Sequence, residues 1–167
     1  VTTVDDYIDK ARAEWAQIEP ELSTTPAGII GRIMRIAQVV EMRADRMLES
    51  RGITRSEFDI LSLLVRTGRP MTPGELATES LCSGAGVTKR VKKLVEAGLV
   101  TRETNPSDGR GALITLTGEG RDKTIPILRA LIDYEQGLIE VVPTDDREPL
   151  TSQLRTLLSS LESFNSR

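Results

Sequence analysis

The chain has 167 residues and a formal net charge of −3, with 38% hydrophobic and 3% aromatic residues. That length supports one domain with a real core, or one domain plus an element for self-association. Histidine is absent and Cys82 is the sole cysteine, which excludes histidine-based triads, His/Cys metal sites and any intramolecular disulfide.

Apolar periodicity predicts a first helix over residues 4–18, where Val4, Ile8, Ala11, Trp15 and Ile18 form one stripe and Pro20 follows. Trp15, the only tryptophan, is expected to dock this helix onto the body. A linker over 21–26 leads to a second helix over about 27–50, with Ile29, Ile33, Ile36, Val40, Met47 and Leu48 as candidate buried positions. Its length exceeds what a small domain needs and suggests a partner helix. Gly52 breaks the chain, and Thr54 with Glu57 spells a capping box for a third helix over 55–66. Phe58, Ile60, Leu61, Leu63, Leu64 and Val65 make that helix apolar nearly all round, and so central. Asp59 inside it must be exposed or partnered. Thr72, Pro73 and Glu75 then predict a short capped helix over 73–80.

Ser83 is a good N-cap for the next helix, which stops at Gly98. Val87, Val91, Leu94 and Val95 fall on one stripe, Lys89, Lys92 and Lys93 lie opposite, and Thr88 and Arg90 lie on the flanks. Gly84, Ala85 and Gly86 leave the first turn without bulk, so its backbone can approach another surface. A strand over 99–104, a polar loop over 105–111 and a strand over 112–116 predict a hairpin whose tip carries Asp108 and Arg110. An arginine at such a tip suits the narrow, electronegative minor groove, with Asp108 shaping the loop. Either part alone is compatible with a solvated amphipathic helix or an ordinary polar hairpin. Together they form a basic helix followed by a basic hairpin on an acidic body, the pattern of specific DNA binding. Cys82, just before the helix, reads as core filler, with a redox-sensing thiol as the alternative.

Thr117 caps a further helix, to about 142, that Pro126 should kink or split. Thr144 caps the last, over about 145–164, with Leu150, Leu154, Leu157, Leu158 and Leu161 in a stripe. No apolar run is long enough for a bilayer and no signal peptide is visible, so a soluble, cytoplasmic protein is expected. The fold class expected is mainly α: a winged helix-turn-helix DNA-binding domain over 53–117, with helices at 1–52 and 118–167 forming a dimerisation domain.

This layout resembles the multiple antibiotic resistance regulator (MarR) family. The matching positions are Glu75-Leu76-Ala77, Ser83 to Val91, Leu94, Gly98-Leu99-Val100, Asp108-x-Arg110 and Leu116-Thr117, within a likeness that runs from about Pro26 onward. The resemblance implies an obligate homodimer on operator DNA, with recognition helices in major grooves and wing arginines in minor grooves. It also implies repression of nearby genes, relieved by a small aromatic or acidic ligand. The chain is further similar to the urate-responsive branch, which has a tryptophan on an extra N-terminal helix and Glu-Phe-Asp on a central helix. That branch also has an arginine in the recognition helix and one just after it. Those positions match Trp15, Asp59, Arg90 and Arg102. The chain departs from the branch at Val87-Thr88-Lys89-Arg90, where Met-Thr-Asn-Arg is usual, in a shorter loop after Gly68, and at Gly109-Arg110 in place of a double arginine.

The residues expected to meet DNA are therefore Ser83, Gly84, Ala85, Thr88, Lys89, Lys92, Lys93, Asp108 and Arg110, on a near-palindrome with half-sites roughly 10 bp apart. Trp15, Asp59, Arg90 and Arg102 are the candidate effector site, suited to urate or another planar anion: a ring stacks and guanidiniums pair. A structural ion pair between Asp59 and the arginines is the competing reading. No cofactor, metal or catalytic group is expected, since no nucleophile–base pair or glycine-rich phosphate loop is present. A winged-helix module without an effector is the alternative to a ligand-responsive regulator.

Overall fold

The computed structural model describes residues 4–80, 83–105 and 111–165. The elements run α1 (Tyr7–Ile18), α2 (Thr25–Glu49), α3 (Arg55–Thr67), α4 (Pro73–Glu79), α5 (Gly84–Glu96), β1 (Val100–Thr104), β2 (Ala112–Leu116), α6 (Gly118–Ile139) and α7 (Thr144–Asn165). Two compact units result, Val1–Arg121 and Asp122–Arg167.

In the first unit α3 is central, packing against α2, α4, α5 and β2. Phe58, Ile60, Leu61, Leu63 and Leu64 are all buried, as its near-continuous apolar surface requires. Both capping boxes form: the Thr54 and Thr72 hydroxyls accept from the Glu57 and Glu75 amides, and each glutamate accepts from the threonine amide. Val87, Val91 and Leu94 seat α5, at roughly 1.5–3 kcal/mol per side chain fully removed from water. Val95, expected in that stripe, is 39% exposed, because its angle carries it past the edge of the packed face.

β1 and β2 pair antiparallel, with Val100 opposite Leu116 and Arg102 opposite Ile114. Met71 bridges to Ile114 through two backbone hydrogen bonds, 3.0 and 2.8 Å, so the loop before α4 forms a third rung of the small sheet. The strand starts at Val100, one residue later than the periodicity suggested.

α1 begins at Tyr7, not at residue 4, because Asp6 caps it in a full capping box with Asp9. It lies antiparallel on α2. Arg32 reaches Asp6 at 2.8 Å and Asp9 at 2.6 Å, Arg12 donates to the Thr24 hydroxyl, and Arg35 sits 4.8 Å over the Tyr7 ring. Ile8 is the only member of the expected stripe that is buried, against Gly31; Trp15 is 52% exposed. Polar clamps, rather than tryptophan docking, hold this helix. The apolar stripe of α2 is likewise only partly used within the chain: Ala44 and Leu48 are buried, Ile29 and Ile36 are exposed.

α6 runs unbroken through Pro126 and stops at Ile139, so the expected split is absent. α7 also contains a proline, Pro149, within its first turns. In α7, Leu150, Leu154, Leu157, Leu158 and Leu161 are all at least 38% exposed. No helix among the described residues is long and apolar enough to cross a membrane.

A clasp joins the turn after α5 to the start of α6. Gly98 takes φ +71°, the Thr117 amide donates to the Leu99 carbonyl at 3.1 Å, and the Thr117 hydroxyl donates to the Gly98 carbonyl at 2.8 Å. Gly120 passes so close that a Cβ there would lie 2.0 Å from the Leu99 carbonyl oxygen. Gly120→Ala gains about 1 kcal/mol of helix propensity, but the clash is with backbone and cannot be relieved by a rotamer change. A net loss of roughly 1–3 kcal/mol is expected, seen as a lower urea midpoint. A midpoint at or above wild type would show that this approach does not constrain the fold.

Candidate nucleic-acid interface

The interface is built outward from the buried back of α5. The Ser83 hydroxyl accepts from the Gly86 amide at 3.2 Å and fixes the helix start. Gly84, Ala85, Thr88, Lys89, Lys92 and Lys93 are exposed, as expected of a front that meets another surface. At about 100° per residue, Thr88 and Lys92 lie on one flank, Lys89 near the centre, and Lys93 and Arg90 towards the other flank. Arg90 is about 160° round the helix from both Thr88 and Lys92.

The two flanks face different surroundings. On the Lys92 side, Pro73, Ala85, Thr88, Lys89, Val91, Lys92, Val95, Glu96 and Arg102 line a groove of about 780 Å³. Lys92 pairs with Glu96 at 3.8 Å inside the helix. On the other flank, Lys93 reaches Glu57 of α3 at 3.8 Å. Burial alone would raise the Glu57 carboxyl, but the Thr54 amide and hydroxyl and the Lys93 ammonium together hold it below the ordinary range. Lys93, expected to meet a phosphate, thus also ties the recognition helix to the N-terminus of α3.

Asp59 is half-buried on that same flank. Burial raises its carboxyl above the ordinary aspartate value. Arg55 opposes the shift, Asp45 adds to it, and Arg90 and Glu41 act more weakly in opposite senses. Arg55 is already paired with Asp45 at 3.1 Å. Arg90 folds back over the first turn of α5, where a Cβ on Gly86 would lie 2.8 Å from its Nη1. Among the described residues no direct ion pair joins Arg90 to Asp59. Asp59 also lines a pocket of about 280 Å³ with Ser62, Leu63, Arg66, Glu79 and Ser80, in which Arg66 and Glu79 approach to 3.7 Å.

The four candidate effector residues do not meet within one chain. Asp59 and Arg90 share a neighbourhood. Arg102 lies in the groove on the opposite flank of α5. Trp15 is on α1, which packs against residues 28–35 of α2, whereas Asp59 feels Glu41 and Asp45 of that helix. Continuing the antiparallel register brings Trp15 level with the start of α2, about 24 Å along the axis from Glu41 at 1.5 Å per residue. Helical spacing cannot reveal this separation, which depends on how helices cross. Asp108, Arg110 and Cys82 lie outside the described residues.

The first helix of the pair, α4, is held by a cluster the sequence showed only in part. Glu75 accepts from the Thr72 amide at 2.7 Å and hydroxyl at 2.9 Å, and pairs with Arg69 at 2.9 Å. The Thr72 amide first, then the Arg69 guanidinium and the Thr72 hydroxyl, bring Glu75 down to about 2.

A capped short helix, a turn, a second helix with a buried back and basic front, and an antiparallel hairpin define a winged helix-turn-helix module. Residues 51–111 match the model of the MarR family. The chain is 24% identical over 151 residues to the HTH-type transcriptional regulator PecS of Dickeya dadantii, covering 89% of each protein. Wild-type MarR from E. coli superposes with a TM-score of 0.62 at 28% identity, over 74% of this chain and 95% of that one. A mutant of S. aureus MepR bound to an oligodeoxyribonucleotide shares the fold, with a TM-score of 0.55 at 24% identity, over 79% of this chain and 97% of that one. The chain is thus similar to MarR-type winged-helix transcription regulators, and the relatives it resembles are regulators rather than enzymes.

Because the folded Glu75 value is depressed, its contribution is complete above the ordinary value of 4.5 and lost as pH falls through about 2. Melting curves of wild type and Glu75→Gln should differ most above pH 4.5 and converge towards pH 2. A constant difference across that window would remove the cap cluster as its cause.

Proposed function

We propose that this chain is a transcription regulator that binds a near-palindromic operator as a homodimer and is released by a small planar anion such as urate. The observation that carries the DNA-binding part is the exposed Thr88, Lys89 and Lys92 on a helix whose Val87, Val91 and Leu94 are buried and whose first turn is capped by Ser83. The MepR structure with its oligonucleotide supports the same use of this fold. In this reading Thr88, Lys89 and Lys92 meet bases, and Lys93 and the Ser83–Ala85 turn meet phosphates. Asp108 and Arg110 serve the wing.

The homodimer is supported by the exposed leucines of α7 and by exposed Ile29, Met34 and Ile36 on α2, an extent of apolar surface that a free monomer rarely leaves uncovered. The dimerisation helices are those of residues 1–52 and 118–167, flanking a DNA-binding domain at 53–117. Repression is the expected outcome of operator binding, and the effector reading rests on Asp59 and Arg90. An anion that engages Arg90 acts on the recognition helix itself, beside Asp59, whose carboxyl burial raises above the ordinary aspartate value. Trp15 and Arg102 do not join this site within one chain.

The test is selection of duplexes from a random library, followed by gel shifts and sedimentation. Wild type should select a two-fold symmetric site and sediment as a dimer. Lys89→Ala should weaken the selected site by about 1–3 kcal/mol per half-site while leaving the dimer intact. Urate should release the wild-type complex at lower concentration than the Asp59→Asn complex. Recovery of no enriched sequence would sink the DNA-binding reading, and equal release of both proteins would sink the effector site.

A further inference from the structure

We infer that Arg102, on the strand leading into the wing, is a nucleic-acid contact that grips a backbone phosphate across the groove from α5. The inference rests on the regulator reading and assigns to it a residue that the sequence had placed with the effector.

The argument starts with strand alternation. Arg102 stands two residues after Val100, so both project from the same face of β1. Val100 is buried on that face, and β1 packs against α5. Arg102 is exposed, at the point where the same face runs out past the edge of the helix. There it lines the groove with Val91, Val95, Thr88, Lys89 and Lys92.

Its charge is uncommitted. Among the described residues no carboxylate pairs with Arg102, whereas Arg32, Arg55, Arg66 and Arg69 each pair with an aspartate or glutamate. The groove it faces carries Lys89, Lys92 and Arg102 against Glu96 alone, and Glu96 is occupied by Lys92. An arginine stem over apolar walls, with a free guanidinium at the rim, is suited to a phosphate oxygen pair. The groove opens on the same flank of α5 as Thr88 and Lys92. A strand of DNA backbone bordering the major groove would therefore lie over the outer mouth of this groove, within reach of both the helix and Arg102. Arg90 and Asp59 lie round the other flank, so the recognition helix stands between Arg102 and the effector neighbourhood.

A phosphate contact is blind to sequence, and that separates it from a base contact. Arg102→Ala and Arg102→Lys would be compared with wild type on a library-selected duplex and on a random-sequence duplex of equal length, from 0.05 to 0.5 M salt (a range of about one decade). Arg102→Ala should weaken both duplexes by the same factor, roughly eightfold per protomer at about 0.1 M salt. It should also reduce the slope of log K against log salt by about 0.9 per protomer. Arg102→Lys should retain most of the slope. Circular dichroism and melting of both variants should match wild type, as expected for an exposed side chain. An unchanged slope overturns the inference, as does a loss confined to the selected duplex. So does an Arg102→Ala protein with wild-type DNA affinity that no longer responds to urate, which returns Arg102 to an effector role. Failure of the wild-type chain to bind either duplex overturns the regulator reading itself, and with it this contact.

Discussion

Burial of Val87, Val91 and Leu94 beneath α5 is the interaction on which the rest depends. Those side chains press one helix against α3, α4 and β1 and fix its rotation about its own axis. Once rotation is fixed, every polar residue on the helix has an address. Thr88, Lys89 and Lys92 face out beside the hairpin, while Arg90 and Lys93 turn towards α3. A rotation of even one residue's angle would exchange these roles, so packing of the back specifies the chemistry of the front.

Electrostatics then secures the helices that surround this one. The Thr72–Glu75–Arg69 cluster caps α4. Glu57 serves two elements, capping α3 and pairing with Lys93 of α5. Asp45 and Arg55 join α2 to α3. Each pair is at least partly exposed and individually modest. Their value lies in location, since each sits at a helix end or a helix crossing and defines an angle that apolar packing leaves loose. Asp59 is the exception. It is half-buried without a direct cationic partner among the described residues, so burial wins and raises its carboxyl above the ordinary aspartate value.

The clasp from Gly98 and Leu99 to Thr117 and Gly120 supplies the remaining constraint. It joins the turn that ends the recognition helix to the helix that leads out of the module, through the Thr117 amide and hydroxyl and the close backbone approach at Gly120.

Local chemistry made much of this legible in advance. The capping boxes at Thr54 and Thr72, the Ser83 cap, the apolar α3 and the three-residue seat of α5 follow from spacing alone, because helix periodicity and caps are properties of neighbours in sequence. The resemblance to MarR regulators followed from Glu75-Leu76-Ala77, Ser83 to Val91, Leu94, Gly98-Leu99-Val100, Asp108-x-Arg110 and Leu116-Thr117. What spacing could not supply was position between elements. Trp15 was placed with Asp59 by analogy, yet α1 docks at the far end of α2 through Arg32, Asp6 and Asp9. Arg102 was grouped with Arg90, yet a helix stands between them, a separation decided only when β1 was laid beside α5. Pro126 was expected to kink or split its helix, and α6 continues through it without a split. The amino-acid order determined which residues could form each face. Only the tertiary packing decided which faces meet, because helix crossings are set by contacts among residues far apart in the chain.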